Sequence, residues 1–277
     1  MRERSQHFDP RQTMQKDTFE VFHYREPKPG TVEVHHHDFY EVYYLLGGKV
    51  EYLVDGKRLA MQPGDLLLIN PQQLHRPIVD PQSPTYERIV LWINKEYLEN
   101  LSSDALDLKR CFDRDLIRPD AAQRGAITAR LGELVQESYG SDPGSRLAAY
   151  GLFLQFMVQL SRMAGEGSVG REVAGQQSEL VRNTCAYIDE NLSQSITLEQ
   201  LAAQFFVSKY YLSHAFSREM GVSLYRYILL RRLLMARQLM AAGESAGAAA
   251  RACGFADYTS FYRAFKSEYG ISPRQFG

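Results

Sequence analysis

Four polar residues in the first third of the chain have the types and spacing that bind a metal ion or a polar small molecule. His35, His37 and Glu41 occur in one short run. They share one face of a strand if no bulge intervenes, because side chains alternate along a strand. His75, from a later strand, would add a third imidazole. Three imidazoles and a carboxylate form a plausible site for Zn, Fe, Mn or Ni.

A second set of residues has the pattern of a helix that reads DNA. Thr197 and Gln200 fit a capping box for a helix that begins at Leu198, and Ser208 is the expected N-cap of a second helix, 209–220. Apolar residues of this second helix recur on one side only, which predicts a helix-turn-helix whose second helix is exposed. Its outward-facing residues are Lys209, Tyr210, Ser213, His214, Ser217 and Arg218.

The same arrangement is repeated near the end of the chain. A long helix from 223 to 240 is followed by a short helix, 245–253, and by an exposed helix, 258–269, whose expected N-cap is Asp257. Two such units joined by a rigid helix can present two recognition helices to successive segments of the major groove, roughly 34 Å apart.

The segment before these helices is predicted to form a small barrel or sandwich. Short runs rich in β-branched and aromatic residues alternate with turn residues. Asp55-Gly56 is the best single hairpin signal, because a type I′ turn needs a positive φ at both central residues. The predicted strands are 19–24, 31–37, 40–46, 49–54, 58–62, 66–70 and 87–93.

Helices are predicted to follow the strands. Apolar residues take a helical period from Asp120 onward, and residues 145–163 are apolar nearly all round. Such a helix must be buried, either against the barrel or in a subunit interface, and both alternatives remain open. Residues 164–178 contain four glycines and few apolar side chains, which predicts a flexible linker.

Together these patterns predict an α+β multidomain protein with a basic, all-α second half. Lys and Arg outnumber Asp and Glu by 11 to 7 in residues 180–277, although the whole chain has a net charge of -1. This distribution favours a DNA partner for the second half. The expected domains are a β-barrel with accessory helices at 1–163 (barrel about 15–95, helices about 121–163), the linker at 164–178, and two helix-turn-helix units joined by a long helix at 179–277.

Cysteine content and hydropathy bear on the compartment. The three cysteines lack C-x-x-C spacing, which argues against a disulfide framework or a zinc knuckle and favours a reducing cytoplasm. The N-terminus has no apolar signal-peptide region, and no apolar stretch is long enough to cross a bilayer. We therefore expect a cytoplasmic protein without a membrane partner.

Residues 184–276 resemble the DNA-binding domain of AraC/XylS-family bacterial transcription regulators. The resemblance is carried by Gly221-Val222-Ser223, Gly254-Phe255, Asp257, Phe261, Arg263, Phe265-Lys266, Gly270 and Ser272-Pro273. It implies base contacts from Tyr210, Ser213, His214, Thr259, Tyr262 and Arg263, and backbone contacts from Lys209, Ser217, Arg218 and Lys266. One departure is the small-residue run at 246–250, which predicts a looser second unit that contributes less to sequence choice.

The run from His35 to Glu41, with later turn residues and His75, resembles the cupin barrel of AraC-family sensors. The resemblance implies a small-molecule effector, with a sugar or polyol favoured, and Trp92 is a further candidate for the pocket wall. The second cupin motif is imperfect, since Gln73 stands where a glycine is expected. The expected ligand-binding residues are His35, His37, Glu41, Tyr43 and His75.

The expected function is a sequence-specific transcription regulator without catalytic residues, cofactor or assigned metal. If a metal does bind, its candidate ligands are His35, His37, Glu41 and His75. The expected partners are double-stranded promoter DNA, the effector, a second copy in a homodimer and, for the favoured activator role, RNA polymerase. Two alternatives remain open: a metal-dependent cupin enzyme fused to a DNA-binding domain, and a constitutive regulator whose barrel only dimerises.

Overall fold

The computed structural model describes residues 12–27, 32–165 and 178–276. The chain divides into two compact units, Met1–Gly175 and Gln176–Gly277. Most of the predicted linker, 164–178, lies outside the described residues, but the prediction is wrong at both of its ends. Ala164 is buried against the core in the last turn of a helix, and Ser178 caps the next helix through its side chain. Within the described residues, no helix is long and apolar enough to cross a membrane.

The first unit contains two antiparallel sheets. The five-stranded sheet has the order β1-β7-β2-β5-β8, and the three-stranded sheet has the order β4-β3-β6. The strands are β1 (Phe19–Glu26), β2 (Tyr40–Gly47), β3 (Val50–Val54), β4 (Lys57–Met61), β5 (Leu66–Ile69), β6 (His75–Val79), β7 (Tyr86–Ile93) and β8 (Leu116–Ile117).

One predicted strand is absent from the sheets and one hairpin is confirmed. Residues 32–37 form no strand, and only an isolated bridge joins His35 to His75. The side chains of His35 and His37 hydrogen-bond locally, each to a backbone carbonyl two residues away. The Asp55-Gly56 turn between β3 and β4 has φ values of 43° and 81°, as the type I′ prediction requires.

Two strands have no counterpart among the predicted strand ranges, although His75 was expected on a strand. β6 contains Pro77, a residue that argues against a strand unless the strand lies at a sheet edge. β6 is an edge strand of the three-stranded sheet, so the proline is tolerated there. β8 has only two residues, too few to show an alternating pattern.

The two faces of the five-stranded sheet contribute to different cores. On one face, residues such as Val42 and Leu91 pack against the helices that follow the strands. On the other face, residues such as Tyr43 and Trp92 pack against side chains of the three-stranded sheet. This second face forms the barrel interior. The helices of the unit are α1 (Lys95–Leu101), a 3-10 helix (Leu108–Asp113), α2 (Ala121–Ser138) and α3 (Ser145–Gly165).

Helix α3 packs against the barrel, which is the first of the two alternatives for burying its apolar surface. Phe153 is fully buried, and its ring stacks on that of Phe19 in β1 with the centroids 4.3 Å apart. The helix is not buried all round, however. Leu147 and Leu154 are 78% and 40% exposed. Packing against the barrel therefore accounts for one face of α3 and leaves a second apolar face at the surface.

The second unit is helical throughout its described residues. Thr197 and Gln200 form the predicted capping box, and Ser208 and Asp257 cap the two recognition helices, as expected. Both recognition helices end at a left-handed glycine with φ of 75°, Gly221 and Gly270. The helices are α4 (Glu179–Glu190), α5 (Leu198–Gln204), α6 (Lys209–Met220), α7 (Leu224–Ala241), α8 (Ala246–Ala252), α9 (Tyr258–Tyr269) and α10 (Pro273–Phe276).

Candidate ligand pocket and nucleic-acid interface

Three histidines in the first unit are held by the same kind of backbone hydrogen bond. The Nδ1 atoms of His35, His37 and His75 lie 2.9, 2.9 and 2.8 Å from the carbonyl oxygens of Glu33, Phe39 and Gln73. A carbonyl oxygen only accepts, so Nδ1 carries the proton in each ring. The Nε2 atom of each neutral imidazole therefore keeps its lone pair, which is the form that binds a metal or accepts a hydrogen bond.

These histidines and Glu41 form a buried cluster. Ligand atoms of His37, Glu41 and His75 all lie within 4.8 Å of one another. Glu41 Oε2 is 3.3 Å from His37 Nε2 and accepts a 2.9 Å hydrogen bond from Trp92 Nε1. The ring of His35 lies 4.3 Å from that of His75, but His35 is not among the three converging ligands. The structure thus brings three of the four candidate metal ligands together and places the fourth beside them.

Burial keeps the three imidazoles neutral. It lowers the pKa of His35 to about 4 and that of His37 to about 3, and it lowers the pKa of His75 well below its usual value. At neutral pH the cluster therefore contains uncharged rings around a carboxylate. Such rings can hydrogen-bond a neutral ligand or donate lone pairs to a cation.

A small cavity of about 50 Å³ lies beside this cluster. Tyr43, the fifth predicted ligand-binding residue, lines it and donates a 2.7 Å hydrogen bond to Tyr86. His35 and Glu41 also contribute to its wall, whereas His37 and His75 lie outside its lining. The lining residues are Gln12, Tyr24, Val32, His35, Glu41, Tyr43, Tyr52, Pro77, Tyr86, Arg88, Val90 and Trp92.

Arg88 is the most informative pocket residue that the sequence analysis missed. Its side chain is 11% exposed, and its Nη2 donates a 3.0 Å hydrogen bond to Glu26. The guanidinium carbon lies 4.0 Å from the centre of the Tyr86 ring. The buried Nη1 atom has no hydrogen-bond partner among the described residues. The sequence contains a signal for this placement. Arg88 and Trp92 are four residues apart in β7, so their side chains lie on the same face of the strand.

In the second unit, the predicted DNA-contacting residues occupy one side of each recognition helix. Leu212 and Phe216 of α6 and Phe261 and Phe265 of α9 are fully buried. The buried residues fix which side of each helix faces outward. The exposed candidates are Lys209, Tyr210, His214, Arg218, Thr259, Tyr262, Arg263 and Lys266, and Ser213 and Ser217 are half-buried.

Few intramolecular contacts hold these outward-facing residues. The rings of Tyr210 and His214 lie 4.2 Å apart, and Lys209 Nζ is 2.8 Å from Glu199 on α5. Exposed ion pairs of this type are weak, so a phosphate can compete for Lys209. Arg263 makes no ion pair with any residue that the structure describes. Its guanidinium is therefore available for a bidentate contact with guanine.

The turn of the second helix-turn-helix depends on Gly254. Its φ is +76°, and a Cβ atom at this position would lie 2.5 Å from the carbonyl oxygen of Leu192. The side chain of Arg232 on α7 donates to the same carbonyl at 3.1 Å. Both the positive φ and the close approach require glycine, which explains the Gly-Phe pair of the sequence motif.

Three exposed aromatic residues near the first recognition helix were not singled out from the sequence. Phe206 is 96% exposed in the turn before α6, and Tyr211 and Tyr225 are 57% and 77% exposed. Phe206 also has a positive φ of 55°. Separate helical projections of α6 and α7 could have identified Tyr211 and Tyr225, whereas Phe206 lies in a turn and follows no helical period.

Comparison with known proteins agrees with this two-part architecture. A family profile described as an AraC-like ligand binding domain matches residues 18–157, half of the chain, and a helix-turn-helix domain profile matches 201–277. The arabinose operon regulatory protein of Salmonella typhimurium is 27% identical over 226 residues, covering 80% of this chain and 77% of that protein. The transcriptional activator RhaS of Klebsiella pneumoniae is 25% identical over 271 residues, covering 87% and 85%.

A solved structure of ToxT from Vibrio cholerae with a bound unsaturated fatty acid covers 96% of both chains at 16% identity, with a TM-score of 0.40. The family assignment rests on the two sequence profiles. The ligand-binding profile spans the barrel with α2 and most of α3, and the helix-turn-helix profile spans both recognition helices. The chain therefore belongs to the AraC family of transcription regulators, with an AraC-like ligand-binding domain followed by a helix-turn-helix DNA-binding domain.

Proposed function

We propose that this regulator is an effector-dependent activator in which α6 and α9 read two segments of promoter DNA. The observation that carries the proposal is the repeated recognition unit. Ser208 and Asp257 cap the two helices through their side chains, and each helix buries its aromatic core side while it exposes polar residues. A capped, rigid helix with an exposed polar side is the element that enters the major groove.

The chemistry of the outward-facing residues divides the proposed DNA contacts. Arg263 and Tyr262 on α9 suit direct contacts to base edges, and Tyr210 and His214 on α6 suit contacts to methyl groups and acceptors. Lys209, Ser217, Arg218 and Lys266 suit phosphate contacts, which position the protein without reading sequence. Ser213 and Thr259 complete the proposed base-contacting set.

The DNA-binding proposal is tested with Arg263→Ala. The operator is selected from random DNA by the full-length protein, and binding is measured by fluorescence anisotropy on the operator and on its single-base variants. Loss of a bidentate guanine contact should weaken binding by about 1–3 kcal/mol and abolish discrimination at one base pair. Arg274→Ala, which removes an exposed arginine outside the recognition helices, is the matched control. Equal weakening on every sequence would show that Arg263 holds only phosphate.

For the effector, we propose a sugar or polyol bound in the barrel interior. The pocket combines aromatic walls from Tyr52 and Trp92 with the polar groups of Glu41 and His35 and the unsatisfied donor of Arg88. Aromatic faces and hydrogen-bonding groups in one cavity suit a ring that has apolar faces and hydroxyl edges. The similarity to the arabinose operon regulatory protein points in the same direction.

The described cavity is too small for such a ligand without movement of its wall. Its 50 Å³ is well below the few hundred Å³ of typical small-molecule pockets. Gln12 and Val32 are wall residues outside the strands, and Tyr43 and Trp92 are held within them. We therefore expect binding to displace the wall at Gln12 and Val32 and to leave the strands in place.

The effector proposal is tested by a thermal-shift screen of the full-length protein against sugars, polyols and aromatic acids. A ligand at 100 times its Kd adds about 2.7 kcal/mol, which corresponds to a midpoint shift of about 5–11 °C at 2–4 °C per kcal/mol. Arg88→Met should abolish the shift, and Arg110→Met, at an exposed position outside the pocket, should retain it. An undiminished shift in Arg88→Met would contradict the proposed pocket.

We further propose that the protein acts in the cytoplasm as a homodimer and contacts RNA polymerase as an activator. The exposed apolar face of α3, which includes Leu147 and Leu154, supplies the proposed dimer contact. The similarity to the RhaS activator supports the direction of regulation. The relatives are transcription regulators, and we propose no catalytic role for the barrel.

A further inference from the structure

We propose that His37, His75 and Glu41 bind one divalent transition-metal ion inside the barrel. The inference goes beyond the proposed function, because such a site can exist whether or not the pocket recognises a sugar. It starts from the convergence of the three ligand atoms within 4.8 Å of one another in the protein interior. This spacing allows one ion to contact two imidazole nitrogens and a carboxylate oxygen.

Two imidazole lone pairs in the cluster lack a hydrogen-bond donor among the described residues. His37 and His75 are fixed by their Nδ1 hydrogen bonds to backbone carbonyls, so their Nε2 atoms are the free acceptors. Both Nε2 atoms are buried and accept no hydrogen bond from the described residues. Buried polar atoms are nearly always satisfied in native proteins, and two unsatisfied atoms in one cluster indicate a missing partner.

The buried carboxyl group of Glu41 also lacks a cation. Its side chain is 5% exposed, and within the described ranges its only ion-pair partner is His37, whose Nε2 lies 3.3 Å away and makes no hydrogen bond. A carboxylate buried without a cation is unfavourable. A divalent ion would satisfy both the carboxylate and the two lone pairs, whereas a water molecule would leave the charge uncompensated.

Further hydrogen bonds hold each of the three ligands in place. Metal-binding histidines usually donate their other ring N–H to a carbonyl or carboxylate, and metal-binding carboxylates accept a further hydrogen bond. His37 and His75 donate to Phe39 and Gln73, and Glu41 accepts from Trp92. His23 provides a contrast in the same unit, because its Nε2 is already 2.9 Å from Glu87.

The donor set and the space beside it define the ion. Two imidazoles with one carboxylate suit Zn²⁺, Co²⁺, Ni²⁺ or Fe²⁺ better than Mg²⁺ or Ca²⁺, which prefer oxygen ligands. Glu41 also lines the 50 Å³ cavity, so its side of the site has room for one or two water molecules, whereas His37 and His75 lie outside that lining. The site would therefore have three protein ligands and an open position.

The experiment measures Zn²⁺ and Co²⁺ binding to the untagged full-length protein after removal of metals with a chelator. Calorimetry should give one Zn²⁺ per chain, and Co²⁺ should produce visible absorption bands. His37→Gln and Glu41→Gln should weaken Zn²⁺ binding by about 100-fold or more, since even outer-shell changes weaken metal sites by about 10–100-fold. His23→Gln is the matched control and should bind as the unchanged protein does.

X-ray absorption of the Zn²⁺-loaded unchanged protein gives a test that does not depend on how the variants fold. Two imidazoles in the zinc shell are expected. The proposal is overturned by substoichiometric binding, by a zinc shell that contains sulfur or lacks imidazole, or by equal affinities in Glu41→Gln and the unchanged protein. Operator binding by the metal-free protein is measured in parallel, so a failed metal site leaves the proposed regulatory function separately testable.

Discussion

The packing of α3 against the barrel leads to a prediction for two adjacent residues. Phe153 is fully buried and stacks on Phe19, whereas Leu154 is 40% exposed, about 100° further round the helix. Truncating a buried phenylalanine to alanine removes its transfer free energy and leaves a cavity, which together lower stability by about 3–5 kcal/mol. Leu154→Ala should change stability by only about 0.5 kcal/mol, as is usual for surface positions away from a packed core.

The chain offers a specific probe for this measurement. Trp92 is the only tryptophan, and it is buried in the first unit. Its emission during urea or thermal unfolding therefore reports on the barrel and not on the helical unit. With about 2–4 °C per kcal/mol for a unit of this size, Phe153→Ala should lower the barrel's Tm by about 6–20 °C.

The matched pair also defines the result that would refute the reasoning. A loss below about 1 kcal/mol in Phe153→Ala would show that the stacked ring adds little to the packing of α3. Similar losses in both variants would show that the buried and exposed faces of the helix are wrongly assigned. Either result would also remove the basis for placing a dimer contact on the exposed face.

Other predictions concern the dimer, the second recognition helix and the cysteines. Leu154→Asp should convert a dimer to a monomer in analytical ultracentrifugation and leave the Trp92 transition unchanged; an unchanged mass would argue against this contact. The backbone N–H and the hydroxyl of Ser260 donate hydrogen bonds to Asp257, which lower the pKa of its carboxyl group below the usual 3.8. The cap therefore stabilises the protein above pH 3.8, and this stabilisation is lost as the pH falls through the lowered pKa. Asp257→Asn should remove this dependence in helix circular dichroism, and an identical acid profile would contradict it. Burial raises the pKa of Cys111 to about 12 and that of Cys253 to about 11, so neither thiol should react quickly with Ellman's reagent at pH 8 unless the protein is unfolded.

The helical unit could be predicted closely because its boundaries are encoded locally. Ser208 and Asp257 accept hydrogen bonds from backbone groups three residues later, and Gly221 and Gly270 supply the left-handed residue after each helix. These signals act within a few residues of each helix end, so they can be read without knowledge of the tertiary fold. The structure places α6, α7, α8 and α9 within a residue or two of their predicted bounds, whereas no bounds were predicted for α4 and α10.

The pocket could be predicted only in part because it depends on pairing between distant strands. Glu41 in β2 lies directly opposite Trp92 in β7, and this register creates their hydrogen bond. Arg88 reaches the same interior because it shares a face of β7 with Trp92. Composition revealed the histidines and the carboxylate, but strand register, which decides their neighbours, is a tertiary property.

The small-residue run in α8 shows how a local rule and a tertiary rule can oppose each other. Gly247 lowers the propensity of this helix, which is the basis for predicting a looser second unit. In the structure, however, Ala249 and Ala250 are buried in one core with Phe261 and Phe265. Aromatic rings from α9 therefore occupy volume that branched side chains on α8 would fill. Only Gly247 lowers the helix propensity of α8, since its alanines favour a helix. The looser second unit stays a prediction that base discrimination by α9 relative to α6 can decide.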